Sequence, residues 1–351
     1  MARKKALVVG GLGVIGRNLI NHLSSLGDWD IAAVSRRAPD AEMAAKADFV
    51  SCDLLDMAEA ERKLAHLTDV THVFCCALHG GIDATTTEQN RRLVAHPVTV
   101  IDAVAPGLER VVLQEGSKAY GRQLGPFKTP AFESDSRHMP PNFYYDQEDF
   151  LIDFQKGKNW SWAVLRPEAV CGFAVGNPMN LIMCFGVYAA ISKELGMPLK
   201  YPGEIAGFEA INQVTDSGLL ARMTVWAATA PNAANEIFNI TNGDGFRYVN
   251  VWPDWAAHFG MTVAAPQRIR SAEVMPDKAP VWDRIVAKHG LLDLPYEQTA
   301  GWPYFDFNMD TTWDVLMSDA KRIDRGFTEM VDTEAMFLDL FAEFRRRKVL
   351  P

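Results

Sequence analysis

The segment PNFYYDQEDF, Pro141 to Phe150, sets two phenols beside two acids. A tyrosine and a lysine four residues apart share one helix face, and the ammonium then eases ionisation of the phenol. Here that spacing gives Glu148 after Tyr144 and Asp149 after Tyr145, so neither phenol has a cation on its own helix. A lysine is available elsewhere. Lys118 lies in QEGSKAYG, just beyond the apolar run Val111, Val112, Leu113, at the edge where parallel α/β sheets bind ligands. Lys118 is therefore expected to reach over and serve one of the phenols. Residue types and spacing do not separate Tyr144 from Tyr145. Glu148 and Asp149 read as acids that favour a helix N-terminus rather than as an acid–base pair.

A second constellation opens the chain. KALVVGGLGVIGRNLINHL reads as strand, glycine turn and amphipathic helix, with Gly10, Gly13 and Gly16 at GxxGxxG spacing. The first two glycines let the backbone turn against a pyrophosphate and the third lets helix pack on strand. Val14 and Ile15 follow the turn, where unpaired helix N–H groups face phosphate oxygens. The next strand, DIAAVSRR, ends in Ser35, Arg36 and Arg37 rather than in the acid that accepts bonds from an NAD ribose. Two guanidiniums suit a 2′-phosphate, so NADP(H) is the expected cofactor. Asp53, at the end of ADFVSCDLLD, and its neighbour Leu54 are expected at the adenine. Ala77 and Gln114, at the ends of the fourth and fifth strands, complete the cofactor edge with Lys118.

Strands and helices alternate through WSWAVLRPEAV, which predicts a Rossmann-like, doubly wound parallel sheet. The expected division is a cofactor domain over 1–170 and a smaller, mostly helical substrate lobe over 171–351, with 209–245 returning to the sheet. NEIFNITNGD is the expected returning strand, and Thr333 to Arg347 an amphipathic closing helix. The loop over 121–141 separates Lys118 from the tyrosines, and His138 sits in it. Hydrophobic residues make up 48% and the net charge is −9, which argues against a nucleic-acid partner. The basic run RRRK closes an apolar-periodic helix, where cations offset its dipole. The five cysteines have no metal-site spacing, and the histidines form no HExxH pair, so no metal is expected. MARKKALVVGG has too short an apolar run for a secretory leader, and no stretch approaches the roughly 20 apolar residues of a membrane span. A reducing cytoplasm is the expected setting, and a homodimer is left open.

NFYYDQED, with EGSKAYGRQLGP, GGLGVIG, SRR, RPEAVCGF, NPMNL and NEIFNITNGD, resembles the progesterone 5β-reductase/iridoid synthase-like family, an atypical branch of the extended short-chain dehydrogenases/reductases. The resemblance runs over most of the chain. Family members carry NFYYxxED and TGxKHYxGP; the first is intact here, and in the second Glu115 and Ala119 replace threonine and histidine. The resemblance implies Tyr145 as the catalytic phenol with Lys118 as its partner, Tyr144 as packing, and Pro167 to Val170 against the nicotinamide. It further implies an NADPH-dependent reductase of small hydrophobic carbonyl compounds, by 1,4-reduction of α,β-unsaturated ketones or aldehydes. Simple ketone or aldehyde reduction, epimerase-like chemistry and a non-catalytic NADP sensor are the alternatives. Phe173, Met179, Met183, Phe185 and Trp302 are the expected walls of the apolar pocket that hydride transfer needs.

Overall fold

The computed structural model describes residues 3–80 and 84–351. Its organising element is a sheet of seven parallel strands. The first six in chain order are β1 (Lys4–Val9), β2 (Trp29–Val34), β3 (Asp48–Val50), β4 (His72–Cys75), β5 (Arg110–Gln114) and β6 (Ser161–Pro167). The seventh is the returning strand Glu236–Ile240, which pairs with β6 from Glu236↔Ala163 to Ile240↔Pro167. The order from edge to edge is Glu236–Ile240, β6, β5, β4, β1, β2, β3, so the chain reverses direction between β1 and β4. That reversal leaves a crevice at the carboxyl ends of the strands, the usual ligand position of such sheets.

The central strands are apolar on both faces because helices cover both. One layer buries Val8, Phe74, Val112 and Leu165 under α1 (Val14–Leu26) and the helix Ser217–Thr229. The other buries Leu7, Val73, Val111 and Val164. Its helices are α3 (Met57–Leu64), α4 (Ala84–Val104) and α5 (Phe143–Gln155), and α2 (Ala41–Ala44) is a single turn after β2. The helix Ser217–Thr229 and its following strand come from beyond residue 171, so the chain re-enters the sheet layer after starting its second lobe. The third strand is shorter than the sequence suggests. It stops at Val50, because Asp53 turns the chain by accepting from the Leu55 N–H at 3.1 Å.

The lobe that overlays the sheet is built on α6 (Leu181–Glu194), whose residues through Ile191 are all buried. Around it, Phe185, Tyr201, Tyr248, Trp252, Trp255 and Phe305 pack edge to face, and Phe337 lies tilted against Trp255. The closing helix Thr333–Arg346 buries Met336, Phe337, Phe341 and Phe344 and leaves Leu340 half-exposed. Its basic end is spent locally: Arg347 pairs with Glu343 and reaches Glu42 beyond β2 at 2.6 Å. Among the described residues no helix is long and apolar enough to cross a membrane, and no cluster of His, Cys, Asp or Glu could hold a metal. Cys75 is buried, which pushes its thiol up to about 12.

Candidate active site

The glycine turn between β1 and α1 has the steric demands of a phosphate cradle. Gly10 has φ +84°, and a side chain there would meet Ala77 N at 2.8 Å. A methyl group on Gly16 would lie 2.3 Å from Gly10 O. Gly13 is different: its nearest neighbours would be Gly10 O at 3.4 Å and the Asn177 amide nitrogen at 3.8 Å. The missing side chain therefore opens a notch at the start of α1. No side chain caps that helix, so its first N–H groups, those of Val14 and Ile15 among them, are left for an anion.

The two arginines after β2 have unequal roles. Arg37 is tied across the notch, donating to Gly176 O at 2.5 Å, Val175 O at 3.3 Å and Leu12 O at 3.3 Å. Its backbone N–H donates to Ser35 Oγ at 3.1 Å. Arg36 is exposed. Leu54 is buried and its carbonyl accepts from His96 Nδ1 at 2.8 Å, while Asp53 is occupied by its own turn. Gln114 is turned away from the strand ends and donates to Thr224 Oγ1 at 2.9 Å. Its amide is drawn there because the helix Ser217–Thr229 covers that face of the sheet and a buried donor needs a partner.

The tyrosines part company at the start of α5. Asn142 caps this helix through its side chain, accepting from Tyr144 N–H, and so fixes which way each residue faces. Tyr145 points into the loop over 121–141. Its hydroxyl donates to Ala119 O at 2.7 Å and accepts from His138 N–H at 3.1 Å, and Arg137 lies over its ring at 4.7 Å. Tyr144 points to the strand ends instead. A methyl group placed on Gly116 would come within 3.1 Å of the Tyr144 hydroxyl oxygen and 3.2 Å of Pro167 O. Burial raises the Tyr144 phenol well above its usual value, and the charges of Glu115 and Glu168 add to that. Tyr144, expected as packing, thus faces the strand ends, and Tyr145, expected as the catalytic phenol, faces the loop, because a turn of about 100° per helical residue separates neighbouring side chains.

Lys118 stands on a short 3₁₀ turn, Ser117–Tyr120, directly after β5 and Gly116. Its carbonyl is gripped by the Asn142 amide at 2.8 Å. His138, expected at the rim, packs at a tilt against Tyr145 with ring centres 5.2 Å apart and brings Nε2 within 3.2 Å of the same carbonyl. The ammonium lies over the rings of Phe307, at 5.4 Å, and Phe143, at 6.0 Å, and makes no hydrogen bond among the described residues. Burial lowers its pKa, with Arg122 adding to the effect and Glu168 opposing it. The Phe143 ring packs against Tyr144 at 4.5 Å, so lysine, aromatic spacer and phenol form one wall.

Glu148 and Asp149 serve guanidiniums rather than a helix dipole. Glu148 accepts from Arg166 at 2.7 Å and from Arg137 at 2.7 Å, and Arg137 continues to Asp149 at 2.8 Å. Arg166, on β6, also donates to Glu115 at 2.9 Å and to the Tyr120 hydroxyl at 3.3 Å. A lysine in place of Glu148 would set a second cation against Arg166, which is why the helix carries an acid there. Across the cleft, Arg122 pairs with buried Glu168 at 3.2 Å and covers Phe307 at 4.7 Å. Phe143, Arg122 and Phe307 escaped the sequence reading, and Glu168 entered it only as part of the 167–170 stretch. Glu168 beside Pro167 and Arg122 beside Lys118 were the signals, since a charged residue at a strand end must find a partner if buried.

Most of the expected pocket walls are core. Phe185 is enclosed by Tyr248, Trp252, Trp255 and Phe305, and Trp302 by Tyr296 and Phe305. Met183 is buried in the same cluster. Phe173 packs on Phe344 and lies under Arg17 and Arg347. These positions went to packing because a lobe rich in large apolar residues buries most of them. Met179 alone of this set is exposed; its sulfur would be 3.8 Å from a methyl on Gly80, at the crevice beyond β4. Val170 is half-buried in a two-residue bridge to Thr215.

The strand order, glycine turn and phenol at the strand ends define the class: a Rossmann-fold oxidoreductase of the short-chain dehydrogenase/reductase superfamily. Within it, the chain belongs to the family described as PRISE-like Rossmann-fold domain, whose profile matches residues 45–351. It is 32% identical to (S)-8-oxocitronellyl enol synthase of Nepeta racemosa, over 99% of this chain and 93% of that protein. It is also 32% identical to the short chain dehydrogenase gsfE of Penicillium aethiopicum, over 99% of each. Among solved structures, UDP-glucose 4-epimerase of Thermotoga maritima shares the fold with a TM-score of 0.69 at 17% identity, covering 97% of this chain and 99% of that one.

Proposed function

We propose that this protein is an NADPH-dependent reductase of hydrophobic carbonyl compounds, acting by 1,4-reduction of α,β-unsaturated ketones or aldehydes. The observation that carries the reading is the Tyr144 hydroxyl set over side-chain-free Gly116 beside Pro167 O, with the Lys118 ammonium over the neighbouring Phe143 ring at 6.0 Å. The residues fit a dinucleotide: the notch at Gly13, the uncapped start of α1 and exposed Arg36 offer room, N–H donors and a guanidinium for three phosphates. When bound, a reduced nicotinamide supplies the hydride.

The chain's own part is to hold and stabilise the substrate oxygen. With its pKa raised, Tyr144 stays a neutral phenol and donates a hydrogen bond to an oxygen gaining charge. Lys118 adds positive potential from the same wall, and Phe143 and Phe307 exclude water around it. If the conjugated β-carbon accepts hydride, charge collects on that same oxygen as an enolate, so one donor serves the reaction. Protonation of the oxygen then gives an enol, the product class in the names of several relatives. The absence of a lysine one turn after Tyr144 speaks against epimerase-like chemistry despite the shared fold.

The test is NADPH consumption with 2-cyclohexenone, followed by mass spectrometry after reaction with 4-deuterated cofactor. Deuterium at the β-carbon of a saturated ketone is expected. Deuterium on the carbinol carbon of an allylic alcohol, without saturated ketone, would make the protein a simple carbonyl reductase.

A further inference from the structure

Behind the phenol lies an array whose charges do not balance. Among the described residues, buried Glu115 and Glu148 share the one buried guanidinium of Arg166, and the part-exposed Arg137 divides itself between Glu148 and exposed Asp149. The odd charge falls on Glu115. Its side chain is 0% exposed; Oε2 accepts from Arg166 Nε at 2.9 Å, but Oε1 is buried without a hydrogen-bond partner among the described residues. An ionised carboxylate with an unpartnered buried oxygen is costly, and one proton removes both the surplus charge and part of the desolvation penalty. Glu115 directly precedes Gly116, over which the Tyr144 hydroxyl sits.

Resting on the reductase reading, we propose that Glu115 is a positioning residue whose proton controls how well the Tyr144 phenol can serve a reacting oxygen. It contacts neither substrate nor cofactor. As a neutral acid it leaves the array balanced; once ionised it adds a buried negative charge beside an oxygen that is itself becoming negative, and so opposes the reaction. The groups facing it are Arg166 from β6, Glu148 and Tyr144 from α5, Arg137 from the preceding loop and Tyr120 from the 3₁₀ turn. Tyr120 does not compete for the proton near neutrality, because burial pushes its phenol up to about 12. Burial raises Glu115 to about 7, against the pull of Arg166 and with the push of Glu148. The changeover therefore falls near neutral pH.

The experiment is a profile of kcat against pH for the whole protein with NADPH and 2-cyclohexenone, paired with ¹³C NMR of labelled glutamate carboxyl and tyrosine ring carbons without cofactor. In the wild type, kcat is expected to fall roughly tenfold from pH 6 to pH 8.5 with a midpoint near 7, the size expected of one added charge at several ångströms in a partly buried site. Glu115→Gln, a fixed mimic of the protonated acid, should hold the low-pH rate across the range. Glu148→Gln, which removes the competing acid, should move the midpoint to lower pH and serves if the first variant does not fold. In the NMR arm, the Tyr144 ring carbon should shift with the Glu115 carboxyl and lose that step in Glu115→Gln. A wild type inactive with enones and carbonyls at every pH would sink the reductase reading, with the NMR coupling still deciding the role of Glu115. An alkaline limb that survives in Glu115→Gln, or a Glu115 carboxyl titrating near 4.5, would overturn the proposal.

Discussion

Two neighbouring phenols make opposite predictions when each loses its hydroxyl. Tyr144→Phe removes the hydroxyl that lies over Gly116 and keeps the ring that packs against Phe143. Loss of one preorganised donor to an oxyanion costs about 10²–10³ in kcat, or roughly 2.7–4 kcal/mol of transition-state stabilisation. Stability should hardly change, since the Tyr144 hydroxyl makes no hydrogen bond among the described residues and its ring stays in place. Tyr145→Phe removes a hydroxyl that bridges Ala119 O at 2.7 Å and His138 N–H at 3.1 Å. Leaving such groups unpaired costs about 1–3 kcal/mol of stability, with kcat changed by less than about tenfold. The assay is kcat with NADPH and 2-cyclohexenone beside the urea midpoint of each variant, with NADPH affinity from fluorescence to show that cofactor binding persists. A Tyr145→Phe enzyme that loses activity a hundredfold while Tyr144→Phe keeps it would refute the assignment and restore the roles that the family resemblance implies.

Arg36→Ala should weaken NADPH by roughly 10- to 100-fold and leave NADH unchanged, whereas Arg37→Ala should weaken both, since Arg37 also ties Leu12 to Val175 and Gly176; KM values for both cofactors check this, and equal selectivity changes would contradict it. Gly116→Ala introduces no backbone strain, because φ there is 171°, but its methyl would crowd the Tyr144 hydroxyl at 3.1 Å, so kcat should drop at least about tenfold with little change in Tm. Glu42 is held down to about 2 by Lys46 and then Arg347. A depressed carboxylate contributes stability that is full above its ordinary value of 4.5 and is lost as pH falls toward 2, so Tm should fall across that window, and less steeply in Glu42→Gln. A parallel decline in both proteins would remove Glu42 from the account.

Residue order was enough for the frame. Period and punctuation made the alternation of strands and helices legible, and the GxxGxxG turn carries its own steric reason, since Gly10 and Gly16 have no room for a side chain. The returning strand was readable from NEIFNI, and Lys118 from its place just past a strand. Other features were decided by neighbours distant in sequence. Which tyrosine faces the strand ends depends on the helix phase set by Asn142 and on the loop that captures the Tyr145 hydroxyl. Gln114 and Arg37 were assigned to cofactor by position, yet Thr224 and the 175–176 carbonyls claim their polar groups first. Phe185 and Trp302 read equally as wall or core, and only the surrounding rings, for Phe185 contributed by segments as distant in sequence as Phe305, made them core. The acids after the tyrosines show the difference most directly. Their spacing fixes the helix face they occupy, but their partners, Arg166 and Arg137, lie on a strand and a loop that meet them only in the folded chain. Local periodicity follows from backbone geometry and is written in order along the chain. The pairing of buried charge depends on which elements come to lie side by side, and that is settled only by tertiary packing.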